Sequence, residues 1–307
     1  MSVVASKIDT CASCGIAEGD DLKLKRCNGC YLVRYCGSKC QRDHWPQHKR
    51  ECKRRAAELR DEILFKQPES SFMGDCPICC LPLSLDVRKS ALNTCCGKIL
   101  CGGCYYANQQ REIEERLEQT CPFCRQLEPD SEEEQLRFIR KRIEANDPFA
   151  MKEMGLFCLR DRKDHKSAIE YLSKAARLGD PGAHYRLACL YHLGQGVEKD
   201  EKKECYHLEE AAIGGHSVAR YNLACLEDRR GRYDRVTKHL VIAANMGDDK
   251  SLESLKKYYQ DGLVSKKDLA SALRAHKASV DATKSPQREE AEPWLRRMRQ
   301  EERELGG

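Results

Sequence analysis

Residues 34–52 read RYCGSKCQRDHWPQHKREC. Cys36 and Cys40 are separated by three residues, and so are His48 and Cys52, so on a helix each pair shares one face. Two further pairs lie upstream, Cys11-x2-Cys14 and Cys27-x2-Cys30. The stretch therefore completes a set of thiolate and imidazole donors in pairs. Zinc takes such donors tetrahedrally, and two ligands separated by two residues can bend around one ion. The set is large enough for two zinc sites.

The rest of the chain bears this out. Of 307 residues, 20 are cysteine. Seven lie between Cys11 and Cys52, nine between Cys76 and Cys124, and the last four (Cys158, Cys189, Cys205, Cys225) are far apart. The sequence thus divides into two cysteine-rich modules and a longer cysteine-poor half. Modules this small cannot bury enough apolar surface to stand alone, and metal is the usual staple. Net charge is +5, 40% of residues are hydrophobic and only 7% aromatic. Mean hydropathy is −0.70, and no stretch approaches the ~20 apolar residues of a membrane span. Met1–Thr10 shows no apolar h-region, so no secretory signal is predicted. An intracellular, reducing compartment, cytoplasmic or nuclear, is expected, where clustered cysteines read as metal ligands rather than disulfides. A membrane protein, a secreted disulfide scaffold and a fully disordered chain are disfavoured, and the length predicts two or three domains.

The 34–52 run resembles the C-terminal half of a MYND-type zinc finger, spanning 11–52. That resemblance implies interleaved sites: Cys11, Cys14, Cys36 and Cys40 on one ion, and Cys27, Cys30, His48 and Cys52 on the other. His44 competes with His48, which holds the family spacing to Cys52. MYND modules bind short proline-containing peptides, and Gln41 and Trp45 fall at positions that resemble the family's peptide groove. Core packing is the competing role for Trp45. The segment 21–60 is basic, with a KRECKRR run at 49–55. Without interleaved aromatics it reads as a solvated helix rather than a nucleic-acid surface. Residues 53–75 are expected to be a helical linker.

The second module runs CPIC (76–79), CCGKILCGGC (95–104) and CPFCR (121–125). It resembles a RING finger in an all-cysteine form. By that resemblance Cys76, Cys79, Cys101 and Cys104 hold one ion, and Cys95, Cys96, Cys121 and Cys124 the other, making four zinc ions in all. Family members have one residue between the third and fourth ligands, whereas Cys95 and Cys96 are adjacent. A tight turn at Gly97 would let both reach one ion, and Cys80 is a spare thiol that could replace one of them. RING ligases recruit a ubiquitin-conjugating enzyme and act by positioning. The positions that the family uses for this are filled by Ile78, Pro122 and Arg125, the last being a cation suited to bridging two surfaces. Between Cys104 and Cys121 a short helix is predicted, with Ile113 and Leu117 facing inward and Tyr105 and Tyr106 packing.

After an acidic linker and lead-in helix (126–145), an internal repeat begins. Ala183, Leu187, Ala188 and Cys189 recur 36 residues later as Ala219, Leu223, Ala224 and Cys225. Ala175-Ala176 recurs as Ala211-Ala212 and Ala243-Ala244, and each pair is followed by a glycine, Gly179, Gly215 or Gly247. Small residues allow close helix approach, and glycine ends the second helix of each unit. The segment resembles Sel-one-like repeats, relatives of the tetratricopeptide repeat: units 146–179, 180–215 and 216–247, and a degenerate fourth to 280. Cys189 and Cys225 read as core thiols. The tail 281–307 has few apolar residues (Trp294, Leu295, Met298) and reads as a docking or a frayed helix, with disorder favoured. The expected fold is multidomain: two small cross-braced zinc modules followed by an all-α helical-repeat solenoid.

Two functions follow from this organisation. One is an adaptor with RING-type ubiquitin-ligase competence, whose repeats and MYND-like finger recruit protein partners. The other is a non-enzymatic scaffold, favoured by the irregular Cys95-Cys96 pair. A SET-type methyltransferase is disfavoured, because the chain outside the fingers reads as helical repeats.

Overall fold

The computed structural model describes residues 10–305 and divides into two compact units after Lys66. Residues 1–9, most of the stretch read for a secretory signal, lie outside the described residues.

In the first unit, β1 (Lys25–Arg26) pairs antiparallel with β2 (Arg34–Tyr35), and α1 runs Ser38–Leu64. The core is Cys11, Leu24, Cys27, Cys30, Tyr35 and Cys52, so four candidate ligand cysteines with one leucine and one tyrosine replace a conventional core. The expected helical linker 53–75 is corrected here. Up to Leu64 it is the continuation of the finger's own helix, and residues 67–74 are irregular chain. On α1, Arg54 pairs with Glu51 and Glu58, and Arg55 with Glu58 and Glu62. Three of these pairs have the three- or four-residue spacing of a solvated helix face, and Arg55 with Glu62 spans two turns.

The second unit opens on the second cysteine module. β3 (Ser90–Asn93) pairs antiparallel with β4 (Lys98–Cys101), and α2 (Gly102–Glu114) follows directly. Met73, Cys76, Leu83, Leu100, Cys101 and Cys104 form its core. Tyr105 and Tyr106 pack, as expected, but Ile113 and Leu117 do not. They are 61% and 50% exposed, and Leu117 lies beyond the helix end. The buried residue is instead Glu112, whose Oε1 accepts hydrogen bonds from Thr120 N (3.2 Å) and Oγ1 (2.7 Å). A carboxylate so bonded ties the helix to the last cysteine pair, a task an apolar side chain could not do.

Helix α3 (Glu132–Glu144) starts on a Ser131 cap with three glutamates in its first turn. Four helix pairs follow: α4 (Pro148–Arg160) and α5 (His165–Arg177), α6 (Pro181–Leu193) and α7 (Glu201–Ile213), α8 (Ser217–Arg229) and α9 (Tyr233–Asn245), α10 (Asp249–Gln260) and α11 (Lys266–Ala282). They coincide with the repeat units read from sequence. Ala175, Ala183, Ala211, Ala219 and Ala243 are fully buried, which lets neighbouring helices approach closely. Gly179, Gly215 and Gly247 hold φ of +88°, +83° and +91°, the left-handed conformation that ends each second helix. The first helices of the pairs are capped by Asp147, Asp180, His216 and Asp248. Cys189 and Cys225 are half-buried rather than fully in the core.

The tail departs from the favoured expectation of disorder. α12 (Pro286–Leu305) is helical and packs on α2. Ala291 is fully buried, and Trp294 lies 6.1 and 5.5 Å from the rings of Tyr105 and Tyr106. A Cβ on Gly103 would come within 2.9 Å of the Arg288 backbone, and one on Gly102 within 2.4 Å of Leu295. The two glycines of the CGGC motif thus make room for a helix. No helix among the described residues is long and apolar enough to cross a membrane.

Candidate metal centres

Among the described residues, four clusters of potential ligand atoms form, each with every atom within 4.8 Å of the others. In the first unit they are Cys11, Cys14, Cys36, Cys40 and Cys27, Cys30, His48, Cys52; in the second, Cys76, Cys79, Cys101, Cys104 and Cys95, Cys96, Cys121, Cys124. All sixteen candidate ligands are therefore brought together in the pairings that the two resemblances imply. Each module is cross-braced, its first and third ligand pairs meeting at one centre and its second and fourth at the other.

The distances test whether zinc fits. Zn–S bonds of about 2.3 Å place the sulfurs of a tetrahedron ~3.8 Å apart. Cys14–Cys36, Cys27–Cys52 and Cys79–Cys101 are each 3.7 Å apart, Cys96–Cys121 3.8 Å, and Cys36–Cys40 and Cys95–Cys124 3.4 Å. Such edges are far longer than a disulfide bond and match a shared ion. His48 aims Nε2 at Cys30 Sγ, 3.2 Å away, and is the histidine that joins the Cys27, Cys30, Cys52 cluster. His44 is engaged elsewhere: its Nδ1 is 3.1 Å from Tyr35 Oη, and its ring stacks on His48 at 5.6 Å.

One backbone device recurs. In four of the five Cys-x2-Cys pairs, all but Cys101-x2-Cys104 at the start of α2, the amide of the residue after the second cysteine donates to the carbonyl of the first: Gly15 N to Cys11 O, Tyr31 N to Cys27 O, Cys80 N to Cys76 O, and Arg125 N to Cys121 O, at 2.8–2.9 Å. All four residues hold positive φ, between 55° and 80°: Gly15 77°, Tyr31 57°, Cys80 57° and Arg125 61°. The knuckle turns both sulfurs inward. It also settles the spare thiol, since Cys80 is exposed and supplies a turn rather than a ligand. The adjacent Cys95 and Cys96 both reach one centre through the turn at Gly97, whose φ is +70°. Arg142 of α3 braces that turn, donating to Thr94 O at 3.3 Å.

A further contact to the second module was not visible in sequence. Arg288 of α12 donates to Cys79 Sγ (3.3 Å), Leu81 O (3.1 Å), Pro82 O (2.6 Å) and Thr283 O (2.7 Å). Four thiolates around Zn²⁺ carry a net charge of −2, so a guanidinium at their edge is electrostatically favoured, and its planar fork serves several acceptors at once. Such outer partners tune metal affinity. Besides Trp294 and Leu295, which suggested a docking helix, the sequence signals of this docking are the glycine pair at 102–103 and the small Ala291.

The other candidate site residues are mostly accessible. Ile78 is 43% and Trp45 40% exposed, so Trp45 is not a core residue. Gln41, one turn before Trp45 on α1, is half-buried. Arg125 is exposed and its guanidinium donates to Asn108 Oδ1 of α2 at 3.1 Å, whereas Pro122 is buried.

Comparison with known proteins follows this division. The MYND finger family matches residues 11–52, and the Sel1 repeat matches 148–180 and 181–216. Human histone-lysine N-methyltransferase SMYD3 is 58% identical over 31 residues, 10% of this chain and 7% of that protein. The SET domain and MYND-type zinc finger protein 6 of Schizosaccharomyces pombe is 38% identical over 55 residues, 18% of this chain and 11% of that protein. The chain thus spans about a tenth of the length of these curated relatives. A Sel1 repeat protein from Oxalobacter formigenes has 22% identity and a TM-score of 0.44, covering 58% of this chain and 72% of that one. Residues 11–52 are accordingly a zinc-binding MYND finger, and residues 148–216 are Sel1 repeats.

Proposed function

We propose that this chain is a zinc-stapled protein-interaction adaptor that acts as a RING-type ubiquitin-protein ligase. Four zinc ions hold its two modules. The MYND finger takes a proline-containing peptide at Gln41 and Trp45, and the repeats recruit a further protein. The observation that carries the ligase reading is the cross-braced second module with Ile78 and Arg125 both at its surface. Zinc supplies no chemistry there beyond holding the two knuckles. Ile78 offers an apolar contact to a conjugating enzyme. Arg125, anchored on Asn108, offers a cation that can bridge that enzyme and its ubiquitin, so the module works by orienting a thioester. Pro122 packs beneath this surface and shapes the loop.

Methyl transfer belongs to the relatives of the finger, and is not carried over. The matches cover only 31 and 55 residues of this chain, and beyond the finger it consists of the second module and helical repeats.

Autoubiquitination by zinc-loaded protein, across a panel of conjugating enzymes, tests the reading. Wild type is expected to form chains that Ile78→Ala and Arg125→Gly abolish with zinc content unchanged. Chains that persist in both variants overturn the mechanism. No chains with any enzyme leave the second module as a binding scaffold only.

A further inference from the structure

The irregular segment 67–72, QPESSF, is seated on the repeats. Phe72 N donates to Gly215 O at 3.1 Å. The Phe72 ring stacks on His216 at 4.2 Å with the planes 17° apart, and Tyr185 stacks on the same imidazole at 4.3 Å and 24°. His216 is thus held between two aromatic rings. One repeat further on, Asn245 Nδ2 donates to Gln67 Oε1 at 3.2 Å. The segment lies so close that a Cβ on Gly215 would meet Ser70 O at 2.6 Å and Phe72 N at 3.1 Å. The segment therefore touches two successive repeat junctions, the loop after α7 and the C-terminal end of α9.

His216 is the exception among the caps. The corresponding caps of the other repeats are Asp147, Asp180 and Asp248, any of which would serve the amides as well. His216 still caps, its Nδ1 accepting from Ala219 N at 3.2 Å, but its ring also presents a flat face to Phe72. Capping alone gives no reason for a ring at this position; stacking does.

We propose that the loop after α7 and the end of α9 form a peptide-reading groove, and that residues 67–72, the chain leading up to the buried Met73 of the second module's core, are its intramolecular occupant. The groove selects a carboxamide side chain five residues before an aromatic one, through Asn245 and His216. A partner protein carrying a linear segment of that chemistry competes with residues 67–72 for it. The inference does not depend on ubiquitin transfer.

A tethered occupant competes at an effective concentration of about millimolar, so emptying the groove should raise its affinity for a free peptide by about tenfold or more. The probe is fluorescein-labelled Gln-Pro-Glu-Ser-Ser-Phe-Met, read by anisotropy on the zinc-loaded full chain. The Phe72→Ala chain is expected to bind it at least about tenfold more tightly than wild type, and not to bind the same peptide with alanine for phenylalanine. Adding His216→Ser, which keeps a capping oxygen and removes the ring, is expected to abolish binding. Gln67 is exposed, so Gln67→Ala guards against misfolding of the first variant and should raise affinity by a smaller factor. Equal binding to wild type and both single variants overturns the proposal, and so does no binding to either variant.

Discussion

The two zinc modules carry the same number of ligands and the same knuckle turns, yet they are supported differently. In the MYND finger the long helix α1 contributes Cys40, His48 and Cys52 itself, so one element of the module positions three of its own ligands. In the second module α2 contributes only Cys104, and distant residues complete the frame. Arg142 holds the turn at Thr94, Arg288 caps the Cys79 sulfur, and α12 lies on the glycine pair that opens α2. The contrast teaches that a small metal module can be stiffened either by lengthening its own helix or by borrowing one. The borrowed brace links the second module's metal to the far end of the chain.

Metal removal should show the largest difference. Structural zinc contributes on the order of 10–16 kcal/mol per site in finger peptides. A strong chelator is expected to unfold both modules and to spare most of the helical signal of α4–α11, whose cores are buried alanine and leucine. The chain has two tryptophans, Trp45 in the finger and Trp294 against the second module. Their fluorescence, read separately in Trp45→Phe and Trp294→Phe variants, reports each module's loss. Loss of all helicity on chelation would show that the repeats depend on the metal modules.

Acid should act on the repeats through a different route. Burial pushes the His216 imidazole down to about 3, with Arg186 and Lys152 adding to it, and burial with Arg220 and Arg235 does the same for His239. Unfolded histidine titrates near 6.5. Between these values the unfolded chain binds the extra proton, so stability is full above about pH 6.5 and falls as pH drops toward 3. At pH 5 the cost is about 2 kcal/mol for each histidine. Burial lowers the His207 imidazole as well, to about 4, and that of His184, so the urea midpoint of the far-UV signal should fall between pH 7 and pH 5, and His239→Asn should remove about a third of that fall or less. A midpoint unchanged over this range would mean that these imidazoles are solvated.

The brace itself is next in size. Loss of an outer-shell partner commonly costs 10–100-fold in metal affinity. Arg288→Ala is expected to speed zinc release from the second module by about that factor, read with a chromogenic chelator, and to leave Trp45 fluorescence unchanged. Arg288→Lys should rescue only in part, because an ammonium cannot fork between Cys79 and the two carbonyls. Release at the wild-type rate from Arg288→Ala would reduce the brace to a surface contact.

The same contrast governs what the sequence revealed. The ligand pairs are local, adjacent at Cys95-Cys96 and otherwise with two or three residues between, and spacing alone exposes them. Their interleaving came through family resemblance, and the distances agree with it. The repeats were legible because Ala-Ala-x2-Gly recurs in register. The brace was not, because Arg288 and Cys79 are 209 residues apart and no local period joins them. Tail residues such as Ala291 and Leu295 look too sparse to dock when the seat, two glycines, is out of view. Ile113 and Leu117 failed for another reason: a buried, fully hydrogen-bonded Glu112 Oε1 took the place that an apolar pattern assigns to a hydrophobe.

The smallest expected effect separates the backbone of a knuckle from its side chain. Arg125 and Cys80 hold the left-handed conformation that Gly15 holds at the equivalent place in the finger. For a residue with a Cβ that conformation costs roughly 1–2 kcal/mol. Glycine relieves it, but in return loses more freedom on folding, by roughly 0.5–1 kcal/mol. Cys80→Gly should therefore leave the second module as stable as wild type or more stable by up to about 1.5 kcal/mol, read as the chelator concentration at half-loss of Trp294 signal. Arg125→Gly should do the same while removing the exposed guanidinium, which makes it a cleaner test of that side chain than Arg125→Ala, whose backbone stays strained. If both glycine variants lose zinc more readily than wild type, the knuckles are held by their side chains and the shared-turn account of the two modules fails.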